Sequence, residues 1–289
     1  MLRYVFLAAA LFVSGGAYAA SIDCTLCAAW NKDQAPFRIF GNTYYVGTRG
    51  LSAVLITSDQ GHVLIDGALP QSAPLIAAHI EQLGFKVADV KVILNSHVHY
   101  DHAGGIAELQ RLSGAKVIAS EKSVAVLQTG KVDRSDPQFG YLLAYPAVNH
   151  VESLGRKTTV SVGPLSLRVI HTPGHTAGGT SWTWQACQAD RCLDVVYGDS
   201  LNAISDDTFK YGGDARYPEA QVDMARSIAA LEAVRCDILI AAHPEFTGLW
   251  SIIDEQGAGN PDKLLDAFAC KRYAAAGKVR LEKRLESEK

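Results

Sequence analysis

Several common classes of protein are excluded by what this chain does not contain. Lysine and arginine number 27 against 30 aspartates and glutamates, a net charge of −3, so there is no basic footprint for a nucleic acid. After the N-terminal stretch, no run approaches the roughly 18 consecutive apolar residues that a membrane span needs. No G-x-S-x-G elbow occurs, which removes the serine hydrolases that carry it. Cys24-Thr25-Leu26-Cys27 has no second cysteine pair at zinc-site spacing. No linker rich in Gly, Ser or Pro and no short-period repeat divides the chain. With 48% hydrophobic content, residues 20–289 are expected to close one domain around a sizeable core.

Residues 1–19 read as a secretory signal. Arg3 supplies the positive start, Val5 to Val13 the apolar segment, and Ala17-Tyr18-Ala19 a small-x-small cleavage site. That segment is too short to span a bilayer, and Ser21-Ile22-Asp23 before Cys24 is not the small apolar lead-in of lipid-anchor processing. An exported, periplasmic protein without membrane insertion is expected. Six cysteines in such a chain suggest disulfides. Cys187 and Cys192 bracket a polar hairpin tip and would pair locally. Cys236 precedes an apolar strand and Cys270 lies on the last helix, so a bond there would tie helix to sheet. Cys24 and Cys27 could close a small ring, stay free, or bridge protomers as a covalent dimer.

What the chain does contain is Ser96-His97-Val98-His99-Tyr100-Asp101-His102. It follows the apolar run Val92-Ile93-Leu94 and precedes Gly104-Gly105 and a helical pattern, so it sits at the C-terminal mouth of a strand. Three of nine histidines and an aspartate fall within six positions. Burying that many titratable groups unpartnered would cost several kcal/mol. Imidazole and carboxylate without thiolate suit zinc. His97 and His99 lie on one side of an extended turn, and Asp101 and His102 cannot crowd onto the same ion, so the spacing suggests two neighbouring ions.

Two further strand exits carry histidines. His171-Thr172-Pro173-Gly174-His175 follows the strand Leu165 to Ile170, and Ala242-His243-Pro244 follows Ile238 to Ile240. Strands are also expected at Tyr44 to Val46, Ala53 to Ile56, Val63 to Ile65, Val90 to Leu94, Lys116 to Ala119, Thr158 to Val162, Ser181 to Trp184 and Leu193 to Tyr197. Helices are expected over Ala73 to Leu83, Ile106 to Leu112, around Val124 to Val126, over Gln221 to Val234, and from Pro261 to about Tyr273 or beyond, before a charged tail. Trp30 to Pro36 reads as irregular. The pattern breaks from Gly130 to Val151, where Phe139, Leu143 and neighbouring apolar residues are either buried packing or an apolar wall over the site.

The motif His97-x-His99-x-Asp101-His102, then Gly174-His175, then His243 resembles the metallo-β-lactamase superfamily across the whole mature chain, with Leu64-Ile65-Asp66-Gly67 ahead of it. The resemblance implies an α/β protein, an αββα sandwich of two mixed β-sheets flanked by helices. More narrowly the chain resembles class B β-lactamases of the third subclass. Trp30 precedes the first strand, and Phe139-Gly140 with Tyr145-Pro146 lies in the mid-chain loop. Asp199-Ser200-Leu201 stands where the first two subclasses carry a liganding cysteine, Cys236 and Cys270 match that subclass's disulfide, and Pro244 follows His243. Asn202 departs from the pattern, standing where relatives often carry serine or threonine.

The resemblance implies two Zn2+ ions, one on His97, His99 and His175 and the other on Asp101, His102 and His243. It implies hydrolysis of a small-molecule β-lactam by a zinc-activated hydroxide, with Asp101 also orienting the nucleophile. Ser200 and Asn202 are candidates for the substrate carboxylate, with a plain turn as the alternative. Trp30, Phe139 and Leu143 are candidate apolar walls. Asp66 is expected to buttress a liganding histidine. His171, with no metal-demanding spacing, and His62, His79 and His150 are read as ordinary. Two rivals follow from the same residues. One is a dizinc hydrolase of the same fold (a glyoxalase-type thioesterase, lactonase or phosphodiesterase), in whose members an aspartate at the place of Asp199 bridges both metals. The other is a periplasmic zinc-binding protein without turnover.

Overall fold

The computed structural model describes residues 20–256 and 261–289, so the signal read over residues 1–19 lies outside the described residues. Seven strands form one mixed sheet in chain order: β1 (Phe37–Phe40), β2 (Thr43–Tyr45), β3 (Val54–Ile56), β4 (His62–Ile65), β5 (Val90–Leu94), β6 (Lys116–Ala119) and β7 (Val151–Ser153). The first four pair antiparallel and the last four parallel. A second sheet of five runs in the order β12 (Ile238–Ala241), β11 (Arg191–Gly198), β10 (Thr180–Gln188), β9 (Leu165–His171), β8 (Thr159–Val162), with only β11 and β12 parallel.

The side-chain alternation of a strand assigns each residue to a layer. Val54, Ile56, Val63, Ile65, Val92 and Leu94 point to the middle and meet Leu167, Trp182, Trp184, Val195, Tyr197, Ile238 and Ile240 of the other sheet. Their alternates Leu55, Leu64, Ile93 and Val117 pack outward with α2 (Ala73–Gln82), α4 (Ile106–Ser113) and α5 (Glu121–Thr129). Val196, Leu239 and Ala241 pack outward with α6 (Ala220–Ala233) and α8 (Ala269–Ser287). Sheets covered on both faces explain why these strands read as continuous apolar runs. The fold is the αββα sandwich expected.

Three disulfides are present: Cys24–Cys27, Cys187–Cys192 across a hairpin tip, and Cys236–Cys270, which pins α8 to the second sheet. Cys24 and Cys27 are bonded to each other and no cysteine is free, so the covalent dimer expected as a possibility is corrected: no thiol remains for it. The segment read as irregular, Trp30 to Pro36, is so apart from Trp30 itself, the last residue of a short helix, α1 (Cys27–Trp30). The strands β1 and β7 and two further helices, α3 (Tyr100–Ala103) and α7 (Leu249–Gln256), escaped the periodicity because they are short or lie in aromatic-rich stretches. The terminal helix is also corrected. Pro261–Leu264 is a separate 3-10 turn, and α8 starts at Ala269 and carries the charged tail to Ser287. Among the described residues no helix is long and apolar enough to cross a membrane.

Candidate metal centre

The parallel pairings put the C-terminal ends of β4 and β5 side by side, and likewise those of β11 and β12. Every histidine of the motif leaves one of these ends or that of β9. His97 and His99 follow β5, and Asp101 and His102 lie on α3, the single helical turn that opens after His99. The turn before His175 needs Gly174, whose φ is +132° and whose site leaves no room: a Cβ would stand 2.6 Å from Met224 Cα. His243 closes β12 and precedes the 3-10 turn Pro244–Thr247.

Six side chains converge. The rings of His97, His99 and His175 form a triangle with centroids 4.8 Å apart on each side. Beside it, His102 Nε2 lies 3.1 Å from His243 Nε2, and Asp101 Oδ2 lies 3.3 Å from each. His97 belongs to both groups of candidate metal-holding atoms, so the two groups adjoin. His97 Nε2 is buried with no hydrogen-bond partner, and two imidazole nitrogens crowd one carboxylate oxygen. Folded proteins avoid leaving such atoms unsatisfied. The donor set of five imidazoles and one carboxylate suits zinc, and the residues fit it.

The outward nitrogens of the triangle are already engaged. His97 Nδ1 is 2.8 Å from Asp199 Oδ1, His99 Nε2 is 3.0 Å from Asp136 Oδ2, and His175 Nδ1 is 2.8 Å from the Asn202 carbonyl. Each contact fixes a ring with its other nitrogen turned inward, as liganding imidazoles require. Asp199 therefore stands behind His97 rather than between the two groups. Asp66 also departs in detail from the expectation. It lies 3.8 Å from His102 Nδ1, beyond a hydrogen bond, and instead accepts from Ser96 N and Oγ, Asn95 Nδ2 and the Tyr197 hydroxyl. Its φ of 61° marks a strained exit from β4.

Electrostatics favour the neutral imidazole a metal needs at two rings of the triangle, His97 and His175. Burial, reinforced by neighbouring histidines, holds His97 well below the ordinary range and His175 at about 3. Burial works the same way on His99, but the Asp136 carboxylate outweighs it and raises that ring. Burial would raise Asp101; the charges and hydrogen bonds of His102 and His243 overcome it and keep the carboxylate ionised. Asp199, fully buried, is pushed well up.

Ser200 and Asn202 are buried at the exit of β11, and neither Ser200 Oγ nor Asn202 Oδ1 has a hydrogen-bond partner. A plain turn would have used those atoms on nearby backbone. The Trp30 ring is 5.5 Å from that of His243. Phe139 and Leu143 are 38% and 39% exposed, so the mid-chain loop displays them rather than packing them. His171 is exposed at the end of β9, and His79 is a core histidine held by the Val46 carbonyl and Asp33. Sequence reading missed Asp136 and Gln138, whose Nε2 lies 3.4 Å from His175 Nε2. An aspartate two residues before a glutamine in a polar loop carries no signal until the fold brings it to the histidines.

Residues 46–243 match the sequence profile of the metallo-beta-lactamase superfamily, and the chain belongs to that family. Within it the chain is most like the enzymes of subclass B3. The solved structure of Rm3 metallo-beta-lactamase is 51% identical, with a TM-score of 0.90 over 92% of this chain and 99% of that one. MEM-A1, a subclass B3 metallo-beta-lactamase isolated from a soil metagenome library, is 51% identical, with a TM-score of 0.86 over 90% of this chain and 98% of that one. A hydroxyacylglutathione hydrolase of Rhodopseudomonas palustris (strain BisB5) is 30% identical over 142 residues, which are 48% of this chain. The chain spans about half the length of the curated relatives it matches, 46% in that case.

Proposed function

We propose that this chain is a dizinc β-lactamase of the third subclass, exported to the periplasm after removal of residues 1–19 and formed as one domain by residues 20–289. The observation that carries the reading is the convergence of two adjoining ligand groups with Asp199 turned to the back of His97. His97, His99 and His175 would hold one zinc, and Asp101, His102 and His243 the other. Zinc held there supplies Lewis acidity toward a carbonyl and a water acidic enough to attack near neutral pH.

The protein's own groups do the rest. Asp101, kept ionised by His102 and His243, would present an acceptor oxygen that orients the attacking water. The unpartnered Ser200 hydroxyl can donate to the substrate carboxylate; Asn202 would do so through its Nδ2–H, since its own unpartnered Oδ1 can only accept. Trp30, Phe139 and Leu143 border the apolar parts of the substrate. The disulfides support export, since such bonds persist in oxidising compartments.

A hydroxyacyl thioesterase is the second reading, favoured by the names of the curated relatives. A bridging aspartate would have to face both ligand groups, and Asp199 faces the far nitrogen of His97. A panel of a chromogenic cephalosporin, a hydroxyacyl glutathione thioester and a lactone, with zinc counted per chain, decides between them. Zinc-dependent turnover of the cephalosporin is expected. Turnover of the thioester alone would transfer the protein to the second reading, and bound zinc with no turnover of any would make it a binding protein.

A further inference from the structure

Asp136 heads a tight turn, in which Phe139 N–H donates to the Asp136 carbonyl at 3.1 Å and Tyr141 N–H to that of Gln138 at 2.8 Å. Its carboxylate has two tasks. It meets His99 Nε2 at 3.0 and 3.2 Å, and it accepts the N–H of Gln138 at 2.9 Å. The Gln138 side chain lies 3.4 Å from His175 Nε2, the nitrogen turned toward the metal position, so this contact would give way to a bound metal. The turn is thus fastened through the Asp136 carboxylate to the outward nitrogen of one of the three imidazoles of that ligand group, His99.

The same turn is fastened on its other side to the loop after β11. Asp206 N–H donates to the Pro137 carbonyl at 2.8 Å, Gly140 N–H to Asp206 Oδ2 at 3.1 Å, and the Tyr141 hydroxyl to Asp207 Oδ1 at 2.6 Å. Phe139, Tyr141 and Leu143 project from it into solvent. One short segment therefore touches the rings that face the metal position and carries the apolar rim.

We propose that Asp136 is a positioning residue that couples occupancy of the His97–His99–His175 metal position to the order of the Phe139–Leu143 rim. The inference rests on the zinc reading above. A metal held by His99 fixes that ring, the fixed ring fixes the Asp136 carboxylate, and the carboxylate fixes the turn. By linkage the effect runs both ways: whatever orders the turn tightens metal binding to the same degree.

The test uses the mature protein, stripped of metal and titrated with zinc against a chromogenic chelator, together with limited proteolysis of the rim with and without zinc. Asp136→Ala is expected to weaken the more affected zinc by about 10–100-fold, the usual cost of losing a partner of a liganding imidazole. Asp136→Asn keeps an oxygen for the Nε2–H without its charge and should fall between, about 3–10-fold weaker, since charge-assisted bonds are roughly twice as strong. Zinc should slow rim cleavage in wild type, less in Asp136→Asn, and not in Asp136→Ala. Circular dichroism of the metal-free proteins checks folding; if the alanine variant does not fold, the Asp–Asn difference alone decides. Wild-type zinc affinity or full zinc protection in the folded variants overturns the inference while leaving the zinc reading intact. Wild type that takes up no zinc overturns both.

Discussion

The floor of the site and its rim are built on opposite principles. On the floor, His97, His102, Asp66 and Asp199 have no exposed surface at all. Each ring of the His97–His99–His175 triangle leaves the end of a strand, and its outward nitrogen is spoken for. On the rim, Phe139, Tyr141, Leu143 and Ile204 are 38–53% exposed on loops held by hydrogen bonds rather than by a core. The difference teaches where chemistry and selectivity reside. Reactivity depends on groups whose geometry the sheets impose, whereas the fit of a substrate's side groups depends on side chains few contacts restrain.

Removing a floor ligand should therefore give the largest effect. His99→Ala or His243→Ala is expected to lose one zinc per chain and to reduce kcat/KM on the order of 100-fold or more, beyond the upper end for losing only a ligand's partner. Metal analysis beside kinetics checks it, and full zinc with full activity in either variant removes that residue from the ligand set. Asp199→Asn is the next step down. Because its carboxylate lies behind His97, two zincs should remain at saturation, with affinity lowered about 10–100-fold. Loss of an ion that no zinc concentration restores would show Asp199 to be a direct ligand.

The same division explains what could be read beforehand. Ligand spacing at His97, His99, Asp101 and His102 is local, and the apolar runs that precede each histidine announce the strands that deliver them. The bonded pairs Cys187–Cys192 and Cys236–Cys270 were legible because each brackets or joins recognisable elements. Asp136 was not legible: its partner His99 is 37 positions away, and the contact exists only because the folded loop brings the carboxylate to that ring. Asp66 follows β4 in the sequence, but nothing local shows that Tyr197, from the opposite sheet, claims one of its oxygens. Partners from another sheet have no trace in local pattern. Short strands such as β1 and β7 likewise owe their state to the neighbour they pair with.

Between floor and rim stands Ser200, buried like the first but unpartnered like a surface group. Ser200→Ala should raise KM about tenfold, the loss of one hydrogen bond to a charged group, with kcat changed less and zinc retained. Lost metal would mean the serine supports the floor instead. Phe139→Ala should do less, below about 1 kcal/mol in KM, because a side chain left partly in water buries little area on substrate binding. A larger loss there than at Ser200 would invert the ranking of polar anchor over apolar wall.

The smallest effect is expected from pH acting on the rim alone. Burial disfavours the Asp206 carboxylate, but hydrogen bonds from Thr208, Gly140 and Phe209 outweigh it, so its folded pKa lies below the ordinary value. A group depressed in the folded state contributes stability that is fully present above its unfolded pKa, about 3.9, and is lost as pH falls through the lower folded value. Asp206→Asn should therefore leave a protein somewhat less stable near neutrality whose melting temperature falls less steeply below about pH 4 than that of wild type. The floor contributes its own acid sensitivity to both proteins, so the difference between the two curves isolates the loop. Curves that fall in parallel would show that the turn carrying Phe139 does not depend on this carboxylate, and that the hydrogen bond from Asp206 N–H to the Pro137 carbonyl suffices to hold it.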